Sequence, residues 1–158
     1  MGSSNSSFLS LHSALRDFGV LIQELSEPFL EDHDVTQVQY RALEFIILRE
    51  LITAKDLADF LKIKPAACST LLNRLEKKNY ITRTSCREDR RATRIQATEE
   101  GELVYNRIFK RFSQMLDRVY TELDQQEQVE FERIIRKLTC EAEKEVFTKK
   151  QAAKSKKY

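Results

Sequence analysis

Glycine and proline are scarce in this chain, three and two among 158 residues, and tryptophan is absent. So few turn and breaker residues argue against a loop-rich or many-stranded fold, since tight turns and hairpins draw heavily on them. No run of about 18 apolar residues is present to span a bilayer, and MGSSNSSFLSLH lacks the basic start and small-residue cleavage site of a secretory signal. No membrane partner is expected, and a cytoplasmic location is. The three cysteines, Cys68, Cys86 and Cys140, are odd in number and contain no Cys-x-x-Cys, so they point to neither a disulfide framework nor a zinc site. Two histidines, His12 and His33, are thin material for a metal centre. No nucleophile with an adjacent base and no phosphate-cradling glycine loop stands at a recognisable spacing. The chain is expected to be neither an enzyme nor a cofactor carrier.

What is abundant is Leu, Glu, Lys and Arg, with 41% hydrophobic residues overall, which fits a single, mostly helical domain. The net charge of +2 hides an uneven distribution. Residues 1–48 hold 2 basic and 7 acidic side chains, residues 49–98 hold 12 and 6, and residues 99–158 hold 13 and 12. The middle third is therefore the basic one, a sign that suits a phosphate backbone.

Apolar residues at Phe8, Leu11, Leu15, Phe18, Ile22, Leu25 and Phe29 step by three and four, which predicts a helix with a heptad stripe. Pro28 should disturb its last turn, and EDHD reads as a loop. Thr36 is the expected cap of a second helix burying Val38, Leu43, Ile46 and Ile47. Leu51-Ile52 suits a very short strand, and Thr53 to Asp56 a capping box opening a helix with Leu57, Ala58 and Leu61. Pro65 is well placed as the first residue of the next helix, about 65–78, with Leu71, Leu72 and Leu75 inward and Asn79 ending it in the left-handed conformation. Strands over 80–84 and 93–97 form a hairpin candidate. Thr98 then caps a long helix carrying Tyr105, Ile108, Phe112, Met115 and Val119. Asp124 to Glu127 caps a last helix that should bury Phe131, Ile135, Leu138, Ala142 and Val146. The polar, basic end, 148–158, reads as a disordered tail.

Two short helices joined tightly and followed by a hairpin describe a winged helix-turn-helix. Across about fifty residues the order and spacing become more specific. Asp56-Leu57-Ala58 precedes Arg74-Leu75-Glu76-Lys77-Lys78, then Arg83, then Asp89-Arg90-Arg91, then Thr98-Glu99-Glu100-Gly101. This region resembles the signature of MarR-type transcriptional regulators. Asn79 departs from the glycine usual there, and Ala97 from the usual leucine. The resemblance implies a mainly α fold with a small β-hairpin wing. A winged lobe over 36–98 would be joined to dimerisation helices from both chain ends, 1–34 and 99–147.

The start of the second short helix would enter the major groove. Lys64, Ala66, Ser69, Thr70 and Asn73 are then candidates for base-edge or phosphate contact, with Arg74 close to the backbone. Arg87, Arg90 or Arg91 would be held toward the minor groove or its phosphates. A carboxylate is repelled by phosphate, so Asp89 more plausibly braces the wing by accepting from Arg91 or from wing amides. The terminal heptad stripes call for a partner surface, hence a homodimer on a pseudo-palindromic double-stranded DNA operator. The resemblance further implies a bacterial or archaeal repressor released by a small aromatic or anionic effector, which no residue identifies. Cys68 and Cys86, in the recognition helix and beside the wing, leave open a regulator that senses oxidation; inert thiols are the blander alternative. A helical protein–protein adaptor is a further rival, disfavoured by the basic middle third.

Overall fold

A computed structural model of the chain describes residues 3–49, 52–85 and 93–155. Its elements follow in the order α1 (Ser3–Glu31), α2 (Gln37–Ile47), α3 (Ala54–Leu61), α4 (Pro65–Lys77), β1 (Ile81–Ser85), β2 (Thr93–Ala97), α5 (Glu99–Tyr120) and α6 (Gln125–Ser155). The fold is mainly α with one small antiparallel hairpin, as the sequence implies. The chain divides into two compact units, residues 1–114 and 115–158, and the boundary falls inside α5.

In the first unit, helix starts are set by reciprocal caps. Thr36 accepts from the Gln39 amide at 3.3 Å while Gln39 Oε1 accepts from the Thr36 amide at 2.9 Å. Thr53 and Asp56 repeat the device at the head of α3. Helix ends use left-handed residues, although glycine is scarce: Asp34, Lys62 and Asn79 have φ of 49°, 54° and 58°. After each one the next amide reaches back five residues, Val35 to Leu30, Ile63 to Ala58 and Tyr80 to Leu75, at 2.9, 3.1 and 2.9 Å. This is the Schellman closure, which satisfies carbonyls the helix leaves open. Pro28 sits inside α1, and the helix continues past it to Glu31.

The core of this unit joins Leu43 and Ile46 of α2, Leu57 of α3, Cys68, Leu72 and Leu75 of α4, and Ile52, Ile81 and Ile95 around the hairpin. Antiparallel pairing sets Ile81 opposite Ala97 and Arg83 opposite Ile95. Ile52 adds a single bridge, accepting from the Ile95 amide at 3.2 Å. The expected burial of Val38 fails, because it is 47% exposed. Gln39, committed to the cap, takes the inward position with Ala42, Leu43 and Ile46 at helical spacing.

In the second unit Asp124 and Glu127 form the expected capping box, and Gln128 Nε2 donates to the carbonyls of Tyr120 and Leu123, closing the turn into α6. The tail expected to be disordered over 148–158 is instead helical as far as Ser155, where α6 ends. Gln, Ala and Lys there are all good helix formers. Phe131, Ile135, Leu138 and Val146 do not become buried in the single chain.

One junction positions the rest of the first unit. Thr98 donates its amide to the Tyr80 carbonyl at 3.0 Å and its hydroxyl to the Asn79 carbonyl at 2.5 Å. Its Oγ1 accepts from the Gly101 amide at 3.1 Å. The head of α5 is thereby pinned to the end of α4. Gly101 lies so close that an added Cβ would overlap the Tyr80 carbonyl, backbone that cannot swing aside. Gly101→Ala should therefore destabilise the protein by about 1–3 kcal/mol, the usual range for overpacking, read as a lower denaturation midpoint. An unchanged midpoint would contradict this contact. Hydrogen bonds from the Thr53 hydroxyl and amide hold the Asp56 carboxyl below its ordinary 3.8. A lowered folded-state pKa means that the stability from this cap is complete above 3.8 and is lost as pH falls through the lower folded value. The stability gap between wild type and Asp56→Ala should be flat near neutrality and close in acid, as followed by urea melts.

Candidate nucleic-acid interface

Pro65 opens α4 with a fixed φ and no donor to waste, after an N-cap at Lys64. Cys68, Leu71, Leu72 and Leu75 turn inward. That leaves Ala66, Ser69, Thr70, Asn73, Arg74 and Lys77 exposed on the other side, with Lys64 exposed at its head. Every candidate taken from the recognition helix is thus brought together on one solvent face. The Ser69 hydroxyl donates to the Pro65 carbonyl at 3.0 Å and that of Thr70 to the Ala66 carbonyl at 3.1 Å. Their protons are occupied, and their oxygens remain as acceptors. The face is small, polar and basic.

The single carboxylate of α4, Glu76, does not act against that charge. Its Oε2 lies 3.2 Å from Nη2 of Arg83 on β1, and the same Nη2 donates to Asn73 Oδ1 at 2.5 Å. Arg83 shares a strand face with the buried Ile81, two residues away, which turns it toward α4 and leaves its side chain mostly covered. Its buried Nε has no partner, so the bonds made by Nη2 carry the compensation for desolvating the charge. Two residues on from Glu76, at the C-cap of α4, Lys78 Nζ donates to the Asp34 carbonyl and lies 2.6 Å from its carboxylate. The recognition helix is therefore tied both to the wing strand and to the loop between α1 and α2.

Neither tie is among the sequence expectations. Strand alternation carried a signal for Arg83, through its shared parity with Ile81. Nothing in the order of residues linked Lys78 to a loop 44 positions away.

Arg87, Arg90, Arg91, Asp89 and Cys86 lie outside the described residues. The two strands that carry the wing are in place, and Arg94 is exposed on β2. Cys68 is wholly buried, its thiol donates to the Ala54 carbonyl at 3.3 Å, and burial pushes its pKa up against a smaller opposing effect of Arg83. Between α2 and α5, Tyr40 stacks on Tyr105 with ring centres 5.4 Å apart, and Tyr105 on Phe109 at 5.8 Å. Burial, with Tyr105 and Glu44 nearby, raises the Tyr40 hydroxyl well above its ordinary pKa. Among the described residues no cluster of three His, Cys, Asp or Glu side chains could hold a metal, and no helix is long and apolar enough to cross a membrane.

Comparison with known proteins agrees with this geometry. A family model described as the MarR family matches residues 33–92, which run from the loop before α2 through β1 and stop short of β2. The transcriptional repressor MdtR of Bacillus subtilis is 27% identical over 126 residues, 78% of this chain and 81% of its own length. A MarR family protein from Bacillus stearothermophilus superposes with a TM-score of 0.81 at 22% identity, covering 87% of this chain and 96% of that one. A variant of Staphylococcus aureus MepR, solved bound to an oligodeoxyribonucleotide, gives 0.62 at 22% identity, over 84% and 97%. With a helix-turn-helix backed by a two-stranded wing, a family-model match over residues 33–92 and these relatives, the chain is similar to the MarR family of winged helix-turn-helix transcriptional regulators.

Proposed function

We propose that the protein is a cytoplasmic homodimeric repressor that binds a pseudo-palindromic operator and is released by a small aromatic or anionic effector. One observation carries the DNA reading: the exposed face of α4 presents Ala66, Ser69, Thr70, Asn73 and Arg74 with its only carboxylate held by Arg83. Small side chains permit close approach to base edges, and the basic ones meet phosphate. In this reading Arg87, Arg90 or Arg91 reach the minor groove or its phosphates, and Asp89 braces the wing tip. MdtR is named a repressor, and the MepR variant was solved with DNA, which supports the same mode here.

The homodimer is supported by apolar stripes left open in the single chain. Leu11, Leu15, Phe18 and Leu25 on α1, and Phe131, Ile135, Leu138 and Val146 on α6, are all exposed. Each would gain roughly 25 cal/mol per Å² on being covered by a second copy. Two recognition helices related by a twofold axis then read half-sites about one helical turn apart.

Gel-shift titrations across salt concentrations should show one genomic sequence bound far more tightly than bulk DNA. Arg91→Ala should weaken binding to all sequences and flatten the salt slope by about one. Substitutions at Ser69 and Thr70 should change sequence preference. Equal affinity for every fragment would favour a protein–protein adaptor instead, and a monomer by light scattering at micromolar concentration would remove the dimer.

The oxidation-sensing alternative needs an accessible, acidic thiol. Cys68 has the opposite environment: it is buried and its pKa is raised. Peptide-mapped alkylation of the native protein should spare Cys68 until denaturant opens the lobe. Labelling of Cys68 within minutes in native buffer would restore it as a sensing thiol; Cys86, the other candidate, lies outside the described residues.

A further inference from the structure

A guanidinium has hydrogen-bond donors and no acceptor, so the side of the Asn73 amide that meets Arg83 must be its oxygen. This settles an orientation that an exposed asparagine would otherwise choose freely. Oδ1 and Nδ2 diverge from the amide carbon, so with the oxygen committed to Arg83 the amino group is the part of this exposed side chain left for a partner. The bond is charge-assisted and 2.5 Å long, and Arg83 is itself held by Glu76. Rotating the amide would strip a mostly covered guanidinium of an acceptor, leaving it Glu76 among the described residues.

We propose that Arg83 is a positioning residue that restricts what Asn73 reads: Asn73 offers DNA only the hydrogens of Nδ2 and contacts a major-groove acceptor. The inference rests on the DNA reading above. An unrestrained asparagine makes a two-point contact with adenine, giving a hydrogen to N7 and accepting one from N6. Held by Arg83, Asn73 keeps the first half of that contact and loses the second. At its position in each half-site the protein tolerates any base with an outward acceptor, guanine and adenine through N7 or thymine through O4. It rejects cytosine, whose major-groove edge presents the N4 donor.

The test is selection from randomised duplex DNA followed by sequencing, run on the full chain as wild type, Asn73→Ala, Arg83→Ala, Arg83→Lys and Arg83→Ala with Asn73→Ala. Asn73→Ala should flatten one column of each half-site. At that column Arg83→Ala should gain adenine preference by about five-fold or more, the low end of a two-point contact, and the double variant should match Asn73→Ala. Arg83→Lys, which keeps a donor at the same place, should retain more of the wild-type preference. Should Arg83→Ala not fold, wild-type protein supplies an independent readout. Where the selected column is a purine, replacing its N7 by carbon should weaken wild-type binding by about five-fold or more and leave Asn73→Ala unaffected; where it is thymine, removing O4 serves the same purpose.

If wild type enriches no sequence at all, the DNA reading falls and this inference with it. If it enriches a motif but Asn73→Ala lowers affinity evenly across sequences, Asn73 meets only phosphate and the inference alone is overturned. It is equally overturned if Arg83→Ala leaves the column linked to Asn73 unchanged.

Discussion

Thr98 makes three hydrogen bonds in the space of one residue, to Asn79, Tyr80 and Gly101, and through them the end of α4 and the head of α5 become one rigid corner. At roughly 1 kcal/mol net each, those bonds are a sizeable part of a stability that for a domain is typically about 5–15 kcal/mol. The corner is closed further by sterics, since only glycine at 101 lets the backbones meet. The angle at which α4 is presented depends on this contact. The hairpin depends on it as well, because β1 leaves from the same turn and β2 returns to Thr98.

From that corner the electrostatics divide into charges used internally and charges left for a partner. Arg83 pairs with Glu76 and Lys78 with Asp34, and the two ion pairs tie the C-terminal end of α4 to β1 and to the loop before α2. Ser69 and Thr70 spend their protons on their own helix. What remains outward is a set of small side chains, two hydroxyl oxygens, the Asn73 amide and the cations Lys64, Arg74 and Lys77. In the proposed reading, the net positive sign of this region steers association with DNA, and preference among sequences falls to the few groups whose orientation is set from behind.

Much of this was legible because the local rules agree with one another. Thr36, Thr53 and Asp124 announced helix starts, Pro65 the head of the recognition helix, and Asn79 its left-handed end. The hairpin strands fell within a residue of their observed limits. Scarcity of glycine gave a poorer guide to turns: Asp34 and Lys62 adopt the left-handed conformation as non-glycine residues, and Lys62 has no side-chain chemistry that favours it. Val38 was misjudged because periodicity alone does not weigh a capping glutamine against a valine for the inward position. The pairings of Arg83 with Asn73 and of Lys78 with Asp34 are tertiary, and no local rule reaches them. The gathering of Lys64, Ala66, Ser69, Thr70, Asn73 and Arg74 on one face follows directly from helical spacing.

In the proposed reading a rigid corner presents the exposed face of α4 to base edges. A crystal structure of the protein on its selected operator tests this most directly. It should place that face in the major groove, with the bonds of Thr98 to Asn79, Tyr80 and Gly101 intact and Arg83 still on Asn73. DNA seated elsewhere on the chain, or a corner opened to let α4 reach the groove, would contradict it.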